Sequence, residues 1–244
     1  MTVNKVSVLN VNIDAVTMMQ AVEMVEGFFQ SSDKTRLVAT ANAEMVMMAN
    51  EDNELNDILA DADLVVADGA GVVWAARHQG DMMPERVAGF DLVQELLKKS
   101  AEKKYKVFFL GAGIGVAEQA KAKAEMKYRG VNIVGIRDGY FKPDDEENII
   151  AIINALKPDL LLVALGVPRQ EKWIKKNLEK LNVKVAIGVG GTFDVMAGNV
   201  KRAPLWMQKA NLEWSYRLFL QPQRIFRMMA IPKFMLKVML GKKD

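Results

Sequence analysis

Cysteine is absent from this 244-residue chain, which excludes a disulfide framework, a thiolate metal site and a cysteine nucleophile. Histidine occurs once, as His78 near the end of a helical stretch, and no Gly-x-Ser-x-Gly nucleophile elbow accompanies it. A histidine-based triad therefore has almost nothing to be built from. No stretch reaches the ~18 consecutive apolar residues that a membrane-crossing helix needs. Met1 to Ile13 alternate apolar and polar side chains like a strand, without the basic start and apolar run of a secretory signal. A reducing cytoplasm is the expected setting. What is present is a chain 50% hydrophobic and 26% charged, enough to bury one full α/β core and carry a small appendage.

The net charge of +3 hides an asymmetry. Between Lys201 and Asp244 there are ten Lys or Arg against only Glu213 and Asp244, whereas the first 200 residues hold 23 bases and 28 acids. A basic tail on an acidic body points to a polyanionic partner. The same tail holds Trp206, Trp214, Tyr216, Phe219, Phe226 and Phe234, with Pro222 and Pro232 breaking it into short helices. Aromatic, methionine and basic residues together suit an anionic membrane surface rather than nucleic acid. The organisation expected is a compact domain over residues 1–195 and a basic amphipathic, membrane-docking appendage over 196–244.

Along the body, apolar runs alternate with helical periodicity. The expected strands are Arg36–Ala41, Leu64–Ala67, Lys106–Leu110, Val131–Ile136, Leu160–Leu165 and Val183–Ile187. Helical stretches lie near Ala43–Leu59, Gly71–Gln79, Leu92–Glu102, Val116–Tyr128, Glu146–Leu156 and Arg169–Leu181. This alternation predicts an α/β fold, a mainly parallel, Rossmann-like sheet with helices on both faces. Polar and glycine residues follow the strands: Thr40 and Asn42, Asp68-Gly69, Gly111-Ala112-Gly113, Gly166, and Gly188-Val189-Gly190-Gly191. Ligands of open α/β sheets bind outside the carboxyl ends of the strands, so these segments mark one cleft.

Several motifs admit two readings. Gly111 to Gly115 lacks the last glycine of a dinucleotide fingerprint, the sixth position being Val116, so it reads as a phosphate- or ribose-facing turn or as a plain tight turn. Gly188 to Gly191 is better placed to approach a pyrophosphate. Asp61-Ala62-Asp63 looks like a metal-holding DxD but precedes its strand, at the wrong end of the sheet. Asp144-Asp145-Glu146-Glu147 suits a helix start, where acids meet the dipole. Asp68 closes a strand at the cleft and reads equally as a turn-former or as a general base. Arg169-Gln170-Glu171 opens a helix behind Pro168 with its start facing the cleft.

Taken together, Thr40-Ala41-Asn42-Ala43-Glu44, Ala67-Asp68-Gly69-Ala70-Gly71, Arg86-Val87-Ala88-Gly89-Phe90-Asp91, Phe109-Leu110-Gly111, Gly166 to Trp173, Gly188 to Asp194, Lys201-Arg202-Ala203-Pro204 and Glu213 to Leu218, then Arg224 and Arg227, resemble the WecG/TagA/CpsF glycosyltransferase family over nearly the whole chain. The branch it most resembles comprises the N-acetylmannosaminyltransferases of wall teichoic acid synthesis. The resemblance implies transfer of N-acetylmannosamine from UDP to the 4-hydroxyl of N-acetylglucosamine on undecaprenyl diphosphate, with inversion, and no metal or other cofactor. It implies Asp68 as base with Thr40 close by, and Asn42, Arg86, Gln170 and Asp194 lining the donor pocket. Gly111 and Gly190 would face the nucleotide, and Tyr140 would stack on uracil. Of the tail arginines Arg217, Arg224 and Arg227, at least one would close over the diphosphate. Ala41 stands where the family pattern leads us to expect proline. Partners expected are the UDP-sugar, the lipid-linked acceptor and the inner face of the cell membrane, with room left for a homo-oligomer. Another UDP sugar, such as the uronic acid of N-acetylmannosamine, on the same acceptor is the alternative. An NAD-type oxidoreductase and a non-catalytic membrane module are the rivals from other classes.

Overall fold

The structure, a computed structural model, describes residues 3–31, 34–210, 212–220 and 229–241. The single strand expected at the N-terminus is instead a hairpin. Strands β1 (Lys5–Val8) and β2 (Val11–Asp14) pair antiparallel, turning at Leu9 and Asn10. Both turn residues have positive φ, 47° and 66°, as a two-residue loop that follows the strand twist demands. Leu-Asn lacks the Asn-Gly signature of such turns, so alternation alone concealed the reversal. Asp14 ends the hairpin buried, its Oδ2 accepting the Val65 N–H at 2.8 Å, and burial pushes its carboxyl above the usual range. Helix α1 (Met18–Gln30) follows behind a Thr17–Gln20 capping box.

Six strands then build a parallel sheet: β3 (Arg36–Ala41), β4 (Leu64–Ala67), β5 (Lys106–Gly111), β6 (Asn132–Arg137), β7 (Leu160–Ala164) and β8 (Val185–Gly188). Their order across the sheet is β4-β3-β8-β7-β5-β6. The chain thus lays down one flank, crosses to the other, and returns to fill the centre. The chain leaves β7 into a helix on one face of this parallel sheet and leaves β8 into a helix on the other, which opens a crevice at their carboxyl ends. The strands are apolar on both sides. Leu37, Ala39, Val65, Leu110 and Val163 face one core, and Val38, Val66, Phe109, Leu162 and Ile187 the other. The doubly covered parallel sheet expected from the sequence is present.

The helices divide between these cores. On the first lie α2 (Ala43–Ala49), α3 (Asn53–Asp61), α4 (Ala70–His78), α7 (Glu146–Leu156) and α8 (Arg169–Asn177), with the hairpin. On the second lie α1, α5 (Gly89–Lys103), α6 (Val116–Lys127) and α9 (Thr192–Ala197). The expected helix over 43–59 is two, because the Asp52 carboxylate accepts the Leu55 N–H at 3.2 Å and restarts the helix. Asp61 and Asp63 lie at the amino end of β4, opposite the crevice. Asp61 meets Lys175, and Asp63 holds Arg36 and the Leu37 N–H.

The division expected at 195/196 falls inside α9, which ends at Ala197. Beyond it come α10 (Leu205–Lys209), α11 (Glu213–Leu220) and α12 (Ala230–Leu240). The last of these joins the first core: Phe234 and Val238, one turn apart, are buried in that core, with α12 packed against α2 and α4. Its other sides are apolar and exposed, with Leu236, Met239 and Leu240 outward beside Lys233 and Lys237. Truncating a buried Phe to Ala costs ~3–5 kcal/mol in a fixed core. Helix α12 can undock instead, so Phe234→Ala should speed tryptic cleavage at Lys233 and Lys237. It should lower the body's melting temperature less than Phe109→Ala, which removes a ring stacked on Phe193 at 4.5 Å beneath the sheet. Equal losses from both variants would show that α12 is part of one cooperative unit.

Candidate active site

A cavity of about 480 Å³ opens at the carboxyl ends of β3, β4, β7 and β8. Of the expected site residues, Thr40, Asn42, Asp68, Arg86, Tyr140, Gln170, Gly190 and Asp194 line it. Gly111 does not. It sits beneath the wall with φ 116°, where a Cβ would come within 2.4 Å of the Ala164 carbonyl oxygen, so its glycine serves strand packing. Arg224 and Arg227 lie outside the described residues, and for Arg217 only the backbone, within α11, is described.

Asp68 leaves β4 toward the second face, where α5 begins. The first residue of that helix, Gly89, donates its N–H to Asp68 Oδ1 at 2.8 Å. The N–H at a helix start has no partner within the helix, so it takes this oxygen and fixes the direction of the side chain. Gly89 also packs on Thr40, whose Cγ2 and Oγ1 would lie 3.1 and 3.2 Å from any Cβ added there. The Thr40 hydroxyl donates to the Gly188 carbonyl at 3.2 Å. Thr40, Gly89 and Asp68 are thereby locked into one corner. Asn42 caps α2, its Oδ1 accepting the Met45 N–H at 2.9 Å, which directs its amide nitrogen away from the helix.

Arg86 is a brace between body and appendage. Its Nε donates to the Asp68 carbonyl at 2.7 Å and its Nη2 meets Glu213 Oε2 at 2.8 Å. Glu213 begins α11 and also takes Arg202 Nε at 3.1 Å, while Arg202 forks onto both oxygens of Asp91 on α5. Such bidentate pairs are geometrically specific. Sequence reasoning left Arg202, Glu213, Asp91 and Gly89 outside the site. Their signal was membership in three motifs, but nothing in spacing says that these motifs meet.

The glycine loops after β7 and β8 are tied together by one side chain. Gly190 N–H, expected to face a pyrophosphate, donates to Gln170 Oε1 at 3.0 Å, and Gly166 N–H reaches the same oxygen at 3.2 Å. Gln170 lines the cavity, is 1% exposed and holds both loops through that oxygen. Tyr140, by contrast, is 75% exposed at the rim. Beside Gln170, Glu171 is also 1% exposed, and desolvation pushes its carboxyl from 4.5 up to about 7. Between those values the folded chain binds more protons than the unfolded one, so stability falls as pH rises. Full ionisation costs on the order of 3 kcal/mol. Glu171→Leu should therefore gain melting temperature relative to wild type between pH 5 and pH 8. A difference that does not grow with pH would contradict this.

Residues 6–244 match the model of the "Glycosyl transferase WecG/TagA/CpsF family". An N-acetylglucosaminyldiphosphoundecaprenol N-acetyl-beta-D-mannosaminyltransferase of Bacillus subtilis (strain 168) is 39% identical over 208 residues, covering 85% of this chain and 80% of that one. A protein of the same name from Staphylococcus aureus (strain MRSA252) is 36% identical over 240 residues, 98% and 94% of the two chains. With a cleft built from the family's motifs at the strand ends, and similarity that runs from β1 through the appendage, this chain belongs to the WecG/TagA/CpsF family of glycosyl transferases.

Proposed function

We propose that this glycosyltransferase moves N-acetylmannosamine from a UDP conjugate to the 4-hydroxyl of N-acetylglucosamine carried on undecaprenyl diphosphate, with inversion to a β linkage. The observation that carries the reading is Asp68, a carboxylate fixed by the Gly89 N–H at the wall of the cleft. Inversion needs a base on the acceptor hydroxyl, and an oriented carboxylate at a helix start supplies one. Thr40 fixes the corner beside it. Asn42, Asp194 and Tyr140 are the groups left to contact the donor, and the tail arginines supply charge for the departing diphosphate. The names of the relatives support the acceptor and the mannosaminyl group.

The acceptor's lipid places the reaction at a membrane surface. Among the described residues no helix is long and apolar enough to cross one. Exposed Leu205, Trp206, Phe219, Leu236, Met239 and Leu240 with the neighbouring lysines supply a surface that lies on a bilayer, on its cytoplasmic side. The test is mass spectrometry of the product formed from a synthetic lipid-diphosphate acceptor and a panel of UDP sugars. An added N-acetylhexosamine from UDP-N-acetylmannosamine alone is the expected result. Preferential transfer of the uronic acid would move the assignment to that donor.

A further inference from the structure

Two consecutive side chains at the start of α8 point inward rather than to solvent, and both are polar. Gln170 uses its oxygen twice, for the N–H groups of Gly166 and Gly190. Its amide nitrogen donates to Glu171 Oε1 at 2.7 Å. Gly166 follows β7 and Gly190 follows β8, with φ of 78° and 51°, a region other residues enter at a cost. One amide oxygen therefore clamps the two loops at the point where the chain leaves adjacent parallel strands toward opposite faces, and both glycines line the cavity.

An amide can present either end to its neighbours. Two N–H donors on one side require the oxygen there, and a carboxylate on the other requires the nitrogen. Glu171 is the group that supplies the second demand. Its burial is unfavourable in itself, since Oε2 has no partner among the described residues and desolvation raises the carboxyl's affinity for a proton. The space around it is reserved: a Cβ on Gly188 would lie 2.5 Å from Gln170 Nε2 and 2.7 Å from Glu171 Oε1. The same Gly188 carbonyl receives the Thr40 hydroxyl at 3.2 Å, so the clamp touches the corner that holds Asp68. A carboxylate kept at such cost, in contact with the catalytic corner, has a use beyond packing.

We propose that Glu171 is a positioning residue: by fixing the orientation of the Gln170 amide it holds the Gly166 and Gly190 loops in the arrangement that receives the donor's nucleoside diphosphate. This rests on the cleft being the UDP-sugar site. Glu171 does not touch the substrate and takes no proton from it.

Glu171→Leu separates positioning from packing, because removing the desolvation penalty of the buried carboxyl offsets the loss of the acceptor for the Gln170 nitrogen. The full-length chain is compared by UDP calorimetry, thermal melting and steady-state kinetics. The expected variant melts close to the wild-type temperature, binds UDP on the order of 10-fold more weakly, the worth of one oriented hydrogen bond, and shows a raised KM for donor with an unchanged KM for acceptor. Glu171→Gln, which keeps an acceptor for the Gln170 nitrogen, should restore UDP affinity to within about threefold. Glu171→Met is the second apolar variant, used if the leucine chain does not fold. UDP affinity equal to wild type in either folded apolar variant overturns the assignment, as does failure of both to fold, which would make Glu171 a requirement of the fold alone. A wild-type chain that does not bind UDP would instead remove the functional reading on which the inference stands.

Discussion

Asp68→Asn should lower turnover ~10²–10⁴-fold, the usual share of a general base, while leaving UDP affinity within a factor of about two. The substitution keeps the shape of the side chain, and asparagine's oxygen can still accept the Gly89 N–H that now reaches Oδ1. The loop, the helix start and the Arg86 contact to the Asp68 carbonyl are all preserved, because that contact is to backbone. Only basicity is removed. The prediction is thus free of the usual confusion between a missing base and a collapsed corner. It is checked by steady-state rates with a water-soluble acceptor, UDP calorimetry and a melting curve on the same sample. Near-normal turnover would move the base elsewhere in the cavity, and Asp194 and Glu44, the other carboxylates on its wall together with Glu213, would be examined next.

The sequence carried the sheet well because a parallel strand buried on both faces is an unbroken apolar run, and six such runs bounded by glycine or charge were visible. Boundaries moved by one or two residues, as at β8, where Val183 and Lys184 precede the first paired residue. The hairpin and α1 were missed for different reasons. The hairpin turns on Leu9 and Asn10 without glycine. The helix is amphipathic, with four buried residues, but follows a segment read as strand. The cleft was legible because polar residues after apolar strands have one common destination in this fold. What was not legible is the traffic between side chains. Spacing cannot say that Gly190's N–H is spent on Gln170, that Gly111 is glycine for the sake of Ala164, or that Arg86 reaches 127 residues along the chain to Glu213. These depend on which strand lies beside β5 and on how α8 and α11 are set against the sheet, and no local pattern encodes that.

A chain ending at Val200 should lose at least ~10²-fold in activity even on a short-chain acceptor that needs no membrane. If the appendage served only as an anchor, such an acceptor would be turned over normally. The geometry argues otherwise. Arg202 and Glu213 are part of the cavity wall, and Glu213 is the carboxylate that Arg86 braces against while holding the Asp68 carbonyl. Removing it leaves Arg86, only 21% exposed at its side chain, without that counter-charge, free to swing toward Asp68 or out of the cleft. The truncation also takes away Arg217, Arg224 and Arg227, the cations proposed to meet the leaving diphosphate. The body should still melt cooperatively, since both faces of its sheet keep their helices, but at a lower temperature because Phe234 and Val238 no longer fill the groove between α2 and α4. Restoring the tail with Arg217→Glu then divides the loss. If activity on the soluble acceptor stays collapsed while the melting temperature recovers, the missing contribution is a cation at the diphosphate. If activity recovers with the fold, the tail's role is to brace Arg86, and the arginines answer to the lipid alone.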